Sequence, residues 1–513
     1  MLFNSSIFIF LFLPITLLIF AGFSRLKWHT ISKAWLVLTS LVFYGYWNVS
    51  YLKLIIFSML FNYTIGVLIG RQHQTNPEIS GQSWKSPALL LLGISVNLLG
   101  LGYYKYSSFI LDNINALMGS KFSLGNILLP LAISFFTFQQ IAYLVDSYRG
   151  NTQNYNLLDY SLFVIFFPQL IAGPIVHHGD IVPQFIEKKV DKFNWENMSI
   201  GITIFALGLF KKVIFADTIS AYSTPLFNAA EAGTILSFYE VWCGLLAYTL
   251  QLYFDFSGYS DMAVGIARMF GIILPINFNS PYQADSIIDF WRRWHITLSN
   301  FLRDYLYIPL GGNRKGNLRR YFNLMITMLL GGLWHGANWT FVIWGGLHGF
   351  YLVINNVYVS STKSFFTQEN QQNNIVHKLF NRSITFLAVI VSWIFFRSES
   401  INGAMSIVKS MLGLNGISVK LSFSNISPNN LIDLSGIIWL ILLLSIVWFS
   451  PNTQQIMSKY KPVLNMDKYS EKINSIFSWK PNLFWAVSLG LILFMSLSKV
   501  LEANQSEFLY FQF

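Results

Sequence analysis

Apolar runs of about 18 residues or more recur along the whole chain, and few charges interrupt them. A helix of about 20 residues matches the hydrocarbon thickness of a bilayer. In lipid, every backbone N–H and C=O must find its partner inside the protein, so such runs predict a bundle of transmembrane helices. Composition agrees. Of 513 residues, 54% are hydrophobic and 11% charged, whereas a soluble domain is nearer a quarter charged. No polar segment is long enough to fold alone, which predicts a single membrane domain over residues 1–513.

Candidate spans fall at roughly 5–22, 31–48, 51–70, 87–105, 127–147, 157–174, 198–219, 236–254, 258–274, 321–335, 338–357, 383–397, 432–450 and 482–500. Some are short for a bilayer and read as re-entrant or interior segments, which leaves about 11–13 true spans. The first run has no basic residue before it, and Arg25 and Lys27 follow it. This order is opposite to that of a cleavable signal peptide. It predicts a retained first helix with its N-terminus outside and Arg25–Lys33 in the cytoplasm. The net charge of +11 sits mostly in short loops between apolar runs. Cytoplasmic loops collect Lys and Arg, so orientation explains the charge and nucleic acid is not expected as a partner. Cys243 is the single cysteine and lies in an apolar run, so no internal disulfide can form and an inert packing thiol is expected.

Several runs carry residues that a plain anchor would avoid, among them Lys105, Gln139, Gln140 and Asp146. Pro168 and Pro174 break helix geometry in the run that follows. These features suggest an interior with polar contacts. His177 and His178 sit in a segment of mixed charge reaching about Glu196, without a Cys or Glu at ligand spacing. That reads as a solvated loop, and no metal is expected. Segments 71–86, 359–380 and 415–430 read as connections.

The polar residues concentrate between residues 251 and 349. A charge at membrane depth costs about 2.5–3.5 kcal/mol on insertion scales, so such a cluster is a candidate functional site. Asp255, Asp261 and Arg268 lie in YFDFSGYSDMAVGIARMF, where the aspartates are expected to pair with Arg268 or to orient a neighbour. From Ser286 to Ile308 the pattern is that of an amphipathic helix, with Ser286 and Asp289 at its start and Pro309 with Gly311–Gly312 at its end. Phe290, Trp294, Phe301 and Tyr305 form one face, and Arg292, His295, Ser299 and Arg303 the other. Between Arg292 and Arg320 there are seven Lys or Arg and one acid, Asp304, which predicts the cytoplasmic side. His335 ends an apolar run, flanked by Trp334, Gly336 and Asn338. A buried neutral imidazole can act as a general base or can be a hydrogen-bonded core residue. His348 reads as the latter.

Three segments carry a family resemblance. YFDFSGYSDMAVG, NFNSPYQADSIIDFWRRWHITLSNFLRDYLYIPLGG and GLWHGANWTFVIWGGLHG resemble the signature of membrane-bound O-acyltransferases, most closely the bacterial branch that acts in alginate O-acetylation. The resemblance implies an all-α bundle with amphipathic or re-entrant helices around a central tunnel, and a catalytic core at about 251–349. It implies acyl transfer from a cytoplasmic thioester to a hydroxyl. The family's near-invariant histidine matches His335 and a second one matches His295, with Asp255, Asp261, Trp334 and Asn338 as site support. Arg292, Arg293, Arg314 and Arg319 would suit an anionic donor, acetyl-CoA or an acyl carrier protein. No bound cofactor is expected, since the donor is a substrate.

The branch also has aromatic C-terminal tails whose tyrosine is proposed to relay the acyl group to an extracytoplasmic SGNH-like acyltransferase. Here the tail is 506–513 and the matching residue is Tyr510. A phenol, with a pKa near 10, can both attack and leave. The reading is therefore an O-acetyltransferase of the cytoplasmic membrane that modifies a cell-envelope or exported polysaccharide. A polytopic transporter and a non-catalytic scaffold for the partner are the rival expectations.

Overall fold

The structure, a computed structural model, describes residues 1–75, 85–125, 127–152, 155–171, 173–187, 193–362, 375–417, 433–469, 477–502 and 509. Among the described residues the regular elements are helices, with one isolated bridge between Pro275 and Leu464. The expected all-α fold is the one observed.

Six helices among the described residues are long and apolar enough to cross a membrane: Phe8–Arg25, Ser50–Arg71, Ser86–Met118, Trp195–Glu231, Ile375–Arg397 and Leu483–Glu502. Leu434–Phe449 is a shorter apolar helix. Other expected spans take different forms for local reasons. The run 157–174 is not one helix. Asn156 caps Leu157–Ile165 by accepting from the Asp159 N–H, and the chain then leaves helical geometry at Phe166 and restarts with Pro168 in the first turn of Phe167–Leu170. The runs 236–254 and 258–274 fuse into one helix, Phe238–Met269, of 32 residues. No proline interrupts it, and the charge of Asp255, where a break was expected, is met by a partner.

The chain divides into two compact units. The first comprises Met1–Leu207, Tyr259–Pro275 and Tyr460–Met466, and the second comprises Gly208–Gly258, Ile276–Lys459 and Asp467–Phe513. The core of the first unit is aromatic. Phe3 stacks on Tyr259 at 4.7 Å between ring centroids, and Phe43 meets Phe167 at 5.5 Å. The buried Asp159 carboxylate is paired with Lys33 at 2.8 Å.

In the second unit, Gly316–His335 and Trp339–Thr362 form a tight helix hairpin. Their backbones approach closely at two glycines. A Cβ on Gly332 would run into the Phe341 carbonyl, and one on Gly345 into the Met328 carbonyl. This approach sets the position of His335, the last residue of the first arm. The expected continuous helix over 286–308 is instead broken. Ile287–Arg293 is capped by the Ser286 side chain, which accepts from the Asp289 N–H at 3.1 Å. Ile296–Leu302 follows, then a π-helical turn at Arg303–Tyr307. The break falls at Trp294–His295.

Candidate active site

His295 stands at the break, at φ 41°, ψ 53°. Left-handed geometry costs a residue with a Cβ about 1–2 kcal/mol, so the surroundings must hold it. They do so mainly through Asn277. The Ile296 N–H donates to the Asn277 carbonyl at 2.9 Å. The Asn277 side-chain Oδ1 accepts from Thr297 Oγ1 at 2.9 Å and faces His295 Nδ1 at 3.0 Å. An amide oxygen cannot donate, so Nδ1 carries the proton and Nε2 keeps the lone pair. His295 does not share the exposed basic face expected from the sequence. It is wholly buried, with the Phe256 ring edge-on at 4.8 Å and the Phe278 ring stacked at 6.4 Å. Burial pushes its pKa down to about 3, so the ring is neutral at physiological pH.

His335 is buried among rings. Trp334, Trp344 and Phe396 lie at 4.9, 5.0 and 5.1 Å, each presented at a steep angle. Trp334 also lies 6.3 Å from His295. One indole thus lies against both histidines, and the two that the sequence singled out, 40 positions apart (335 − 295), share one aromatic cluster. Asn338 plays a scaffolding part. Its Oδ1 accepts from the Thr340 N–H, and its Nδ2 donates to the Glu399 carbonyl at 2.9 Å, which ties the hairpin turn to the chain after Ile375–Arg397.

His348, from the second arm of the hairpin, is engaged on both nitrogens. Trp291 Nε1–H donates to Nδ1 at 3.3 Å. Ser392 Oγ lies 2.9 Å from Nε2 and gives its own proton to the Val389 carbonyl at 2.7 Å, so Nε2–H is the donor to Ser392.

Asp255 does not pair with Arg268. Its Oδ1 lies 2.6 Å from Nζ of Lys212, which also binds Asp217 at 2.8 Å. Lys212 and Asp217 are five residues apart, and the π-helical segment Lys211–Ala216 is what turns that spacing onto one side. The other oxygen of Asp255 accepts the backbone N–H of Leu509 at 3.1 Å. Asp261 is buried and belongs to the first unit. Tyr510 lies outside the described residues, as does the rest of the tail except Leu509.

A cavity of about 640 Å³ opens beside the cluster. Most of its wall is apolar, with Trp291 and Tyr307 among the rings, and Arg292, Arg303, Arg320, Asn300 and Asn313 add polar and cationic groups. Ile296, next to His295, and Met328, about two turns before His335, form part of the wall. Of the four arginines singled out in the sequence, Arg292 lines the cavity. Arg293 is held by Asp289 at 2.9 Å, Arg319 lies over the Phe322 ring at 5.5 Å, and Arg314 is exposed. Arg303 is joined to Asp304 by two bonds of 2.7 and 2.9 Å. Sequence reasoning missed Asn277, Lys212 and Arg320. The visible signal for Lys212 was a lysine pair inside an apolar run. Nothing local marks Asn277.

Comparison with known proteins bears on this geometry. A model of the membrane-bound O-acyltransferase family matches residues 146–396. The chain is 46% identical over 449 residues to the peptidoglycan O-acetyltransferase of Helicobacter pylori, covering 82% of this chain and 81% of that protein. It is 40% identical over 521 residues to the probable alginate O-acetylase AlgI of Pseudomonas putida, covering both chains in full. It belongs to the membrane-bound O-acyltransferase family. A more distant similarity, 29% over 281 residues, links it to the teichoic acid D-alanyltransferase of Bacillus subtilis, covering 53% of this chain and 67% of that protein. The chain is thus a multi-pass membrane O-acyltransferase.

Proposed function

We propose that this acyltransferase takes an acetyl group from a thioester on the cytoplasmic side of the cell membrane and delivers it for O-acetylation of a cell-envelope or exported polysaccharide. The observation that carries this reading is the pair His295 and His335 on one buried aromatic cluster beside a cationic cavity. The names of the relatives, which concern peptidoglycan and alginate, support a glycan as final acceptor.

In this reading the donor is acetyl-CoA or an acetylated carrier protein, and Arg292 and Arg320 attract its phosphate groups. The acceptor hydroxyl gives its proton to His335 as its oxygen attacks the thioester carbonyl. Collapse of the tetrahedral intermediate breaks the C–S bond, and His335 returns the proton to the departing thiolate. His295, its ring fixed by Asn277, assists by accepting a hydrogen bond from the hydroxyl through Nε2. Tyr510 is the first acceptor, and an extracytoplasmic acyltransferase of SGNH type takes the acetyl group onward to sugar.

The test is purified protein in liposomes with an acetyl thioester inside. Thioester consumption without solute flux, together with an added acetyl mass on the C-terminal peptide, is expected. Full consumption by folded His335→Ala protein would overturn the assignment of the base. Unimpaired glycan acetylation in cells carrying Tyr510→Phe would remove the relay.

A further inference from the structure

The first unit holds a second histidine site. His177 and His178 are not a solvated pair: His178 is buried, with 1% of its surface exposed. Asp146, from Ile133–Tyr148, is buried at 3%. Both imidazole Nε2 atoms converge on one oxygen of this aspartate, Oδ2, at 2.6 Å for His177 and 3.2 Å for His178. The three ligand-type atoms all lie within 4.8 Å of one another. The carboxylate that the local sequence lacked comes from 31 residues upstream (177 − 146).

We propose that Asp146, His177 and His178 bind a divalent transition-metal ion, zinc being the ion whose chemistry fits best. Two imidazoles and one carboxylate oxygen are a common set for Zn²⁺, at about 2.0–2.2 Å from each. Atoms at that distance from a tetrahedral centre are about 3.3 Å apart; the His178 separation of 3.2 Å matches this, and the His177 contact of 2.6 Å must lengthen to admit the ion. Three protein ligands leave a fourth position for water or an anion.

The surroundings divide the two oxygens of the aspartate. Arg149 Nη1 lies 3.4 Å from Oδ1, so Oδ2 alone is directed at the histidines. Tyr155 Oη lies 3.0 Å from His178 Nδ1. If Nδ1 donates to that oxygen, the tautomer is fixed with the Nε2 lone pair toward the site, the usual outer support of a ligating histidine. His177 must change more. Its Nδ1 now accepts the Gly179 N–H at 3.1 Å, so without metal Nε2–H donates to Asp146. Binding through Nε2 requires this single proton to move to Nδ1, at the expense of the Gly179 bond. The ring can adjust, because 42% of its side chain is exposed. The ion would join the end of Ile133–Tyr148 to the start of His178–Ile186, a structural staple separate from the residues assigned to acyl transfer.

The experiment uses the full chain in detergent, stripped with chelator and titrated with Zn²⁺. One ion per chain is expected, with X-ray absorption showing two imidazoles and oxygen ligands. His177→Ala is expected to weaken binding at least tenfold, and Asp146→Asn to abolish it. His295→Ala is expected to keep full stoichiometry. An absorption spectrum of the wild-type protein with no imidazole shell, or equal Zn²⁺ uptake by wild type and His177→Ala, would overturn the proposal and leave a hydrogen-bonded cluster. Because the spectrum is read on the wild type, it stands even where a variant fails to fold.

Discussion

His335 and His348 come from the two arms of one helix hairpin, and both are buried. Around His348 the chain spends a donor and an acceptor. Trp291 donates a hydrogen bond to it and Ser392 accepts one from it, so its ring is locked and its lone pair occupied. Around His335 the near neighbours are the rings of Trp334, Trp344 and Phe396. These rings shape the space around it. Burial therefore does not separate a working imidazole from a structural one.

The sharpest way to break this contrast is to truncate each ring. His335→Ala is expected to lower acetyl transfer by about 10²–10⁴, the usual worth of a positioned acid–base group, with folded protein retained on size exclusion. His348→Ala is expected to reduce the yield of folded protein, since it removes a buried ring packed against Trp344 and Trp393 and takes the acceptor from the Trp291 N–H. Its turnover per folded molecule should stay within a few-fold of wild type. Equal catalytic loss in both would erase the distinction.

A smaller effect is expected one step out. Asn277→Ala removes the acceptor that holds His295 Nδ1 and should cut turnover about tenfold, whereas Asn277→Asp should move the acidic limb of the pH–rate profile upward. The reason is that a carboxylate favours the imidazolium, whose pKa burial now holds near 3. An unchanged profile in Asn277→Asp would show that the protonation of His295 does not govern the rate. Next in size is the cavity. Arg292→Gln combined with Arg320→Gln should raise the KM for the thioester donor about tenfold, equivalent to about 1.4 kcal/mol, with kcat little changed. Arg314→Gln, which is exposed and away from the cavity lining, should leave both constants alone.

A separate effect concerns stability. His295 is neutral when folded, with a pKa of about 3, against the ordinary value of 6.5 when unfolded. Between these values the unfolded chain binds more protons. Its contribution is thus complete above about pH 6.5 and declines toward pH 3, by at most about 1.4 kcal/mol per pH unit. Thermal unfolding of His295→Gln should depend less steeply on pH in that window than wild type does.

Much of the helical content was legible in the sequence because hydropathy is a local property. The apolar runs at 5–22, 51–70 and 482–500 correspond to helices Phe8–Arg25, Ser50–Arg71 and Leu483–Glu502. Periodicity also found the Ser286 cap and the end near Pro309. It could not find the break at His295. That residue takes a left-handed backbone because Asn277, 18 positions earlier, supplies three contacts that no helical repeat encodes. The partner of Asp255 was hidden for a related reason. The expected mate, Arg268, lies nearby in sequence, whereas Lys212 is 43 positions away (255 − 212) and reaches Asp217 only through a π-helical turn. For His177 and His178 the missing carboxylate likewise came from a distant helix.

The Lys212–Asp255 pair also has a consequence for how the chain is made. A lysine and an aspartate at membrane depth each cost about 2.5–3.5 kcal/mol when threaded singly into lipid. Here they sit on helices that follow one another in synthesis, Trp195–Glu231 and Phe238–Met269, with only six residues between (238 − 231 − 1). Within the first helix alone Lys212 already has Asp217 as a partner, and the second helix adds the Asp255 carboxylate. Asp255 finds its cation only when the two helices meet, so closing the hairpin offsets a charge that Phe238–Met269 does not pair by itself.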